Sequence, residues 1–394
     1  MSTRTGRSSA RQAEAGLLNH LRELRTAAHL SQQELAKRTG LTRQAINAIE
    51  GGHYLPNTSV ALQLARVFGC RVEELFRLAE ETPLCPVEMW QKPERGPTRV
   101  VVGRVRGRLV AHPLTHGLAL CEGFSPADGL LESDGPQSLA RLFVDPSRLE
   151  TTAFLMGCDP GLGLLGAHLE RARPEMRLSW LPAPSRTALA AVAKGGVHIA
   201  GSHLRDARSG EFNLVHARKA LAGGGGLVVA FARWEQGLMV RRGNPKHLRG
   251  IEDLARPGVT IVNRAKGAGS RDVLDTLLAR AGLPAERVAG YQTLAASHMA
   301  VARAIAAGAA DAGVGLAAVA VACELDFVPL TEVHFDLVIP GDAAEHPAVQ
   351  ATLDLLQSRR LREDLAALPG YDVTRTGTVL ARFGPSASTS GGSQ

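Results

Sequence analysis

The feature that most constrains the fold is a run of short helical patterns between residues 13 and 82. Ser31-Gln-Gln-Glu34 is a capping box that opens one helix, "QQELAKRT", and Gly40 ends it. Thr42 can cap the next helix, "RQAINAIE", which Gly51-Gly52 ends. A short turn containing glycine therefore joins two short helices, which is the geometry of a helix-turn-helix.

Three further helical patterns flank this pair. Leu17, Leu21 and Leu24 recur at helical spacing and predict a first helix. Thr58 or Ser59 is expected to open a fourth, "VALQLARVF", and "VEELFRLA" predicts a fifth. The N-terminal segment is therefore expected to be an all-α domain of five helices.

The segment Ser31–Phe76 resembles the lambda-repressor-like (Xre-type) helix-turn-helix domains, because its SQxxLA, IExG and proline landmarks fall in that family's order. The resemblance implies that the third helix enters the major groove of double-stranded operator DNA. The residues that it implies at the DNA are Gln32, on a phosphate, with Thr42, Arg43, Gln44 and Asn47 at the recognition helix. Arginine can form two hydrogen bonds with guanine, and Gln or Asn can do so with adenine, so the chemistry fits.

The charge of this segment is modest for a DNA-binding domain. Its first 82 residues carry 11 basic and 8 acidic side chains, a net charge of +3. Few phosphate contacts mean weak non-specific affinity, so we expect a homodimer to be needed for useful DNA binding.

Composition predicts a cytoplasmic protein with no membrane partner. The chain has 394 residues, 45% of them hydrophobic, and a mean hydropathy near zero. It contains no apolar run of about 18 residues, and its first residues are basic and polar, unlike a secretory signal. The cysteines are scattered without a CxxC pair, which argues against a disulfide framework and a structural zinc. They are Cys70, Cys85, Cys121, Cys158 and Cys323.

The rest of the chain predicts a multidomain protein. Four prolines between residues 83 and 97 mark a break, and Thr98–Leu114 alternates like two strands around an Arg106-Gly107 turn. From Thr151 onward, strand patterns alternate with helices, which is typical of α/β domains. The expected divisions are a disordered N-terminus (1–12), a helix-turn-helix domain (13–82), a β-rich connector (83–150), an α/β ligand-binding domain (151–384) and a flexible tail (385–394).

A glycine loop in the α/β half is suited to an anion. Asn263–Gly282, "NRAKGAGSRDVLDTLLARAG", predicts a strand end, a small-residue loop and a helix. Backbone N–H groups of such a loop and the start of its helix attract anions. The loop lacks the lysine of a P-loop, and Asp272 occupies the third glycine position of a dinucleotide fingerprint, so a nucleotide site is not expected.

The stretch 151–375 resembles the periplasmic-binding-protein-like (type II) fold, in its molybdate- and tungstate-binding branch. The resemblance is carried by "GCDPGLGLL", "EQGLMVRRGNP", "NRAKGAGSR", "SHMAVARAIAAGAADAGVG", "DLVIP" and "LPGYD", in that order. It implies two lobes, with crossovers near 228–234 and 326–330, and a ligand held between them. The ligand-binding residues that it implies are Gly157, Cys158, Asp159, Ser202, His203, Asn263, Arg264, Gly269, Ser270, Arg271, Ser297, His298, Gly313, Val314 and Gly315.

The resemblance makes molybdate or a related oxyanion, such as tungstate, the leading ligand. Cys158 and Asp159 stand where oxyanion-binding relatives are expected to offer hydroxyl groups, so a small organic anion stays open as an alternative. Asp159 precedes Pro160 and can cap the following helix instead of facing the ligand.

No residue pattern points to an enzyme. The chain has no GxSxG elbow, no HExxH helix and no metal-spaced Cys/His set, so neither catalytic nor metal-ligating residues are expected. No cofactor is expected beyond an oxyanion bound as effector. The expected function is a ligand-responsive transcription regulator. A molybdenum-cofactor-related enzyme is the alternative from another class, and the DNA-binding segment argues against a transporter component.

Overall fold

The structure is a computed structural model that describes residues 17–78, 84–91, 98–114, 125–133, 138–206 and 208–384. The predicted N-terminal arm (1–12) and C-terminal tail (385–394) lie outside the described residues. The chain divides into two compact units, residues 1–83 and 84–394.

The described part of the first unit contains five helices and a two-stranded sheet. The fifth helix is shorter than predicted, because it ends at Leu75 and the following Phe76–Leu78 forms a strand. Its elements are β1 (Leu17–Asn19), α1 (Leu21–Ala27), α2 (Gln32–Thr39), α3 (Arg43–Glu50), α4 (Thr58–Phe68), α5 (Val72–Leu75) and β2 (Phe76–Leu78). The prediction that Leu17 belongs to the first helix is wrong, because its backbone pairs antiparallel with that of Leu78. The cap of α4 is Asn57 rather than Thr58 or Ser59, since its side chain accepts a hydrogen bond from the Val60 N–H at 3.0 Å.

The second unit begins with a closed five-stranded barrel. Its strands are β3 (Leu84–Met89), β4 (Thr98–Val105), β5 (Arg108–Pro113), β6 (Gly129–Ser133) and β7 (Ser138–Leu142), in the order β3-β5-β4-β6-β7. The predicted hairpin around Arg106-Gly107 is confirmed: both residues have positive φ, 50° and 75°, as a tight hairpin turn requires.

An α/β domain follows the barrel in the same unit. Its helices are α6 (Pro146–Glu150), α7 (Gly161–Ala172), α8 (Ser185–Lys194), α9 (Leu214–Ala220), α10 (Gly269–Arg280), α11 (His298–Ala306), α12 (Ala317–Ala322), α13 (Pro347–Leu355) and α14 (Arg359–Ala366). Its strands are β8 (Thr152–Gly157), β9 (Arg177–Pro182), β10 (Ile199–Ser202), β11 (Gly226–Val240), β12 (Asn263–Arg264), β13 (Leu294–Ala295), β14 (Ala312–Leu316), β15 (Asp326–Pro340), β16 (Tyr371–Asp372) and β17 (Val379–Phe383). The expected fold class is confirmed in its main features, because a helical helix-turn-helix domain precedes a β-rich segment and an α/β domain. The first domain is not all-α, since β1 and β2 pair in a short sheet.

Two long strands form the spine of the α/β domain. β11 and β15 pair antiparallel along their whole length in a sheet of order β14-β11-β15-β10-β8-β9. β10 pairs with the second half of β15, whereas β14 pairs with β11 from Gln236 onward. The sheet neighbours therefore change just beyond the expected crossover at 228–234, and the two halves of the domain lie on either side of this change.

The alternation of buried side chains explains why the sheet is covered on both faces. On β15, Phe335, Leu337 and Ile339 join one apolar core, and Val338 between them joins another. Strands that are buried on both faces have nearly continuous apolar sequences, and Leu337-Val338-Ile339-Pro340 at the end of β15 follows this pattern.

The barrel shares the second of these cores. Val101, Val105 and Val110 pack in one cluster with Phe154 of β8 and Val192 of α8. The region expected to be a separate connector (83–150) is thus continuous with the α/β domain and lies in the same compact unit. Buried apolar contact of this kind makes a rigid joint rather than a flexible one.

Candidate functional site

The helix-turn-helix pair is held by local capping bonds. The Ser31 hydroxyl accepts the Glu34 N–H at 3.2 Å, and the Glu34 carboxylate accepts the Ser31 N–H at 2.7 Å. α2 ends at Gly40, whose φ of 67° is left-handed, and Thr42 then accepts the Ala45 N–H at 3.1 Å to open α3. These bonds fix the start of α3 without any distant partner.

The second helix of the pair separates a buried face from a polar one. Ile46 and Ile49 are completely buried, whereas the side chains of Arg43, Gln44 and Asn47 are exposed. An exposed row of Arg, Gln and Asn on a short helix offers donors and acceptors that suit base edges in the major groove. The structure therefore leaves all three predicted base-reading residues at the surface of this unit.

Gln32 is engaged inside the domain. Its side-chain amide donates to Asn47 Oδ1 at 3.3 Å and to Glu50 Oε2 at 2.9 Å. Glu50 is nearly buried and pairs with Arg25 at 2.6 Å. Gln32 thus positions Asn47 and ties α2 to α3, a role that differs from the phosphate contact that the family resemblance implies.

The second unit brings residues from distant parts of the chain into one buried cluster. Cys158 follows β8, His203 follows β10, and His298 begins α11. One ligand atom of each side chain lies within 4.8 Å of the others. The Gly269 backbone approaches the His203 ring so closely that a Cβ at Gly269 would lie 2.2 Å from it. We call this place, where the two halves of the α/β domain meet, the cleft.

His203 lies at the centre of the cleft. Its ring is 5.0 Å from the Trp234 ring and 6.0 Å from the Phe335 ring, measured between centroids. Burial, together with the positive charge of Arg264, lowers the pKa of His203 to about 3. Burial and the same charge also hold the pKa of His298 well below its ordinary value. Both imidazoles are therefore neutral at physiological pH.

Several buried polar atoms in this region have no hydrogen-bond partner within the described part of the chain. They are Ser202 Oγ, both ring nitrogens of His203, Gln236 Nε2 and Oε1, Ser270 Oγ and His298 Nδ1. An unsatisfied buried donor or acceptor costs about 1–3 kcal/mol, and native structures contain few of them. Such a concentration is a mark of a site built for a bound group.

Asp159 is turned away from these atoms. Its carboxylate accepts the Gly161 N–H at 2.8 Å, the Trp234 indole N–H at 3.0 Å and the Tyr371 hydroxyl. Burial raises the pKa of Asp159 to about 6, against the opposing effect of these hydrogen bonds. The oxygens of this carboxylate are thus occupied by donors from α7, β11 and β16.

Arg271 and Asn263 also have structural partners. The Arg271 guanidinium pairs with Asp275 at 3.0 Å, donates to the Arg264 carbonyl at 3.1 Å and stacks 4.0 Å above the Tyr291 ring. Asn263 donates to the Tyr291 carbonyl at 3.1 Å and accepts the Arg264 N–H at 2.8 Å. Arg264, only 3% exposed, is thus the arginine whose charge acts on the cleft histidines.

The remaining predicted ligand-binding residues mainly support packing. Gly157 is in contact distance of Leu162 and Phe335, and Gly313 and Gly315 lie with Val314 inside β14. Ser297 caps α11 by accepting the Ala300 N–H at 3.0 Å.

Sequence reasoning did not identify Gln236 or Ser185. Gln236 is completely buried and lies two residues after Trp234, on the same face of β11. Ser185 is also completely buried. Its hydroxyl accepts the backbone N–H of His203 at 3.3 Å and is hydrogen-bonded to the Cys158 thiol. A polar residue inside the apolar strand "LVVAFARWEQGLMV" was the one available signal for Gln236.

Each of the two units is similar to a known protein family. Residues 21–75 match the helix-turn-helix family, and residues 166–357 match the PBP superfamily domain. A relative from Bacillus subtilis, the uncharacterized protein YvgK, is 32% identical over 226 residues, which are 57% of this chain and 72% of YvgK. The chain belongs to the PBP superfamily. This PBP-superfamily protein also carries a helix-turn-helix domain.

Two further similarities concern one unit each. An uncharacterized HTH-type transcriptional regulator from Archaeoglobus fulgidus is 38% identical to the PBP-superfamily chain over 72 residues, 18% of this chain and 93% of the relative. The solved structure of a putative phosphate ABC transporter substrate-binding protein from Clostridium perfringens, with bound phosphate, is similar to this chain with a TM-score of 0.43 and 13% sequence identity. The similarity covers 55% of this chain and 96% of the other protein. Within the described residues, no helix has the length and apolar character that a membrane span needs.

Proposed function

We propose that this protein is a ligand-responsive transcription regulator that binds operator DNA through α3 and a small anion in the cleft. The observation that carries the proposal is the group of buried, unpartnered polar atoms around the charge of Arg264. A regulator of this kind needs one unit for DNA and one for an effector, and the helix-turn-helix and PBP superfamily matches supply both.

The chemistry of the cleft favours an anion. Arg264 contributes a buried positive charge, and the hydroxyl groups of Ser202 and Ser270 can donate hydrogen bonds. A neutral imidazole has one N–H, so His203 and His298 can each donate one more. Asp159, the carboxylate next to the cluster, has its oxygens occupied by other donors. A small anion would accept hydrogen bonds from these free donors, and the nearby positive charge of Arg264 would stabilise it.

Molybdate or a related oxyanion such as tungstate is our leading ligand. A tetrahedral oxyanion presents four acceptor oxygens in a compact volume, which suits a closed cleft whose donors come from several elements. The alternative is a small organic anion, whose single carboxylate would use fewer of these donors.

The DNA-binding half of the proposal rests on the exposed face of α3. Arg43, Gln44 and Asn47 are exposed, and Gln32 holds Asn47 in place. Helix-turn-helix domains commonly bind paired half-sites, so we propose that the protein acts as a homodimer in the cytoplasm.

A thermal unfolding experiment on the full chain tests the ligand. Molybdate, tungstate, sulfate, phosphate and a set of small carboxylates are added separately, and an anion that binds the native state raises the unfolding temperature. A Ser202→Ala, Ser270→Ala double variant should lose this rise. The exposed Ser147→Ala is the matched control and should keep it. If only the carboxylates raise the unfolding temperature, the ligand is an organic anion and not molybdate. If no anion of the panel raises it, the proposed anion site is wrong.

A further inference from the structure

Three side chains in the cleft have the chemistry of transition-metal ligands. They are the thiol of Cys158 and the imidazoles of His203 and His298, with one ligand atom of each within 4.8 Å of the others. In a tetrahedral zinc site, bonds of about 2.0–2.3 Å place neighbouring ligand atoms about 3.3–3.6 Å apart. The three groups would thus need to move by only about 1 Å to share one ion.

The histidines are available for such an ion. Neither ring nitrogen of His203, nor Nδ1 of His298, has a hydrogen-bond partner in the described ranges, and each residue is 2% exposed. A buried imidazole without a partner is costly, and metal coordination is one of the few ways to satisfy it.

We propose that Cys158, His203 and His298 form a binding site for a Zn²⁺-class transition metal ion, with a fourth position open to water or a small anion. A ligand set of one thiolate and two imidazoles suits zinc and copper rather than magnesium or calcium, which prefer oxygen. Cysteine binds as the thiolate, so the Cys158 proton is released to solvent when the metal enters.

The charges around the site determine what occupies the fourth position. Cys158 gives up its thiol proton when it binds the metal, so the occupied site contains one thiolate. Zn²⁺ bound to one thiolate and two neutral imidazoles leaves a net positive charge in a buried place. An anionic fourth ligand would reduce this excess, so the metal and the anion of the proposed function would bind cooperatively.

The position of the ligands couples metal binding to closure of the cleft. Cys158 and His203 follow β8 and β10, on one side of the β11–β15 spine. His298 begins α11, which packs on β14 on the other side. An ion bound to all three would therefore hold the two halves of the α/β domain together.

The test uses the untagged full chain after removal of metal with a chelator. Zn²⁺ alone, without molybdate, is titrated and its stoichiometry is measured by equilibrium dialysis with elemental analysis. We expect one tightly bound ion per chain. Co²⁺ in the same site should give an absorption band from thiolate-to-metal charge transfer, which reports the cysteine directly.

Variants assign the ligands. Cys158→Ser should remove the Co²⁺ band, and Cys158→Ala and His298→Gln should each weaken Zn²⁺ binding by about 100-fold or more, because even the loss of an outer-shell partner costs about 10–100-fold. Cys323→Ala, which changes a half-buried thiol on another element, is the matched control and should change neither. Thermal unfolding of each metal-free variant shows whether it folds.

The outcomes separate this site from the anion site. A wild-type chain that binds no Zn²⁺, or a Co²⁺ band unchanged in Cys158→Ser, would overturn the metal site even if molybdate still stabilises the protein. The Ser202→Ala, Ser270→Ala double variant should retain the Co²⁺ band. A metal-binding chain that no anion stabilises would instead overturn the anion proposal and leave the metal site standing.

Discussion

The Trp234 indole donates its N–H to Asp159 Oδ2 at 3.0 Å, and so links the spine strand β11 to the turn that starts α7. The same indole ring lies 5.0 Å from the His203 ring, so one side chain both fixes the buried carboxylate and forms a wall of the cleft. Because the Tyr371 hydroxyl donates to the other carboxylate oxygen, the wall depends on a residue more than two hundred positions along the chain.

Trp234→Phe tests the value of this hydrogen bond. The change leaves a buried carboxylate oxygen without its donor, and hydrogen bonds to charged groups contribute about 1.5–3 kcal/mol. We expect the free energy of unfolding at pH 8 to fall by about this amount in chemical denaturation. Trp180→Phe, which removes an indole bond to the uncharged Gly157 carbonyl, is the control and should cost about 0.5–1.5 kcal/mol from its hydrogen bond. Equal losses would mean that the charge of Asp159 contributes nothing.

Asp336→Asn should stabilise the protein in a pH-dependent way. Burial raises the pKa of Asp336 to about 6, although the Asn213 amide donates to it at 2.7 Å. A carboxyl group with a raised folded-state pKa favours folding when protonated, and this contribution is lost as the pH rises from about 4 through about 6. Removing the charge should therefore raise the free energy of unfolding by at most about 3 kcal/mol at pH 8, and should leave it unchanged near pH 4.

Urea unfolding at several pH values measures the Asp336 effect. The exposed Asp354→Asn is the control, for which we expect no pH-dependent gain. A variant that is destabilised more at pH 8 than at pH 4 would show that Asp336 is held as a paired carboxylate.

Gly269→Ala should disturb the cleft specifically. Its Cβ would lie 2.2 Å from the buried His203 ring, so the ring or the α10 N-terminus has to move. Overpacking of this kind costs about 1–3 kcal/mol, and the displaced ring should remove stabilisation by the anion as well. Gly163→Ala, in α7, is the control, because its Cβ would make an ordinary 3.5 Å contact with the Trp180 ring. This variant should be neutral or slightly stabilising, and the anion should still raise its unfolding temperature.

Arg43→Ala should reduce sequence-specific DNA binding. A bidentate contact with a base contributes about 1–3 kcal/mol of discrimination, so affinity for the operator should fall by about 5- to 150-fold, with little change on random DNA. Arg66→Ala removes an exposed arginine of α4, outside the helix-turn-helix pair, and is the control. Equal losses of affinity for operator and for random DNA would mean that Arg43 contacts a phosphate and not a base.

Operator and effector should influence each other reciprocally. Couplings between two sites are about 1–3 kcal/mol, which means that saturating anion should change operator affinity by about 5- to 150-fold. The operator must change anion affinity by the same factor. Two matched titrations measure this, each with and without the other ligand. If neither affinity changes, the α/β domain is not an effector domain for that DNA.

The sequence alone determined the helix-turn-helix and the α/β alternation, because both depend on short-range signals. Ser31 and Glu34 form the capping box of α2, and Gly40 supplies its left-handed end, all within ten residues. The Arg106-Gly107 turn is equally local. Residues this close in sequence choose their conformation from backbone sterics and capping, so their pattern predicts the structure.

Tertiary structure decided which of the predicted residues face the cleft. Arg264 and Arg271 lie on one loop and helix, yet Asp275 and Tyr291 hold Arg271 while the charge of Arg264 acts on the histidines. The three candidate metal ligands show no metal-type spacing, because β8, β10 and α11 bring them together only when the sheet forms. The orientation of a buried side chain depends on contacts with residues that are distant in the chain, and a local sequence pattern does not identify those residues.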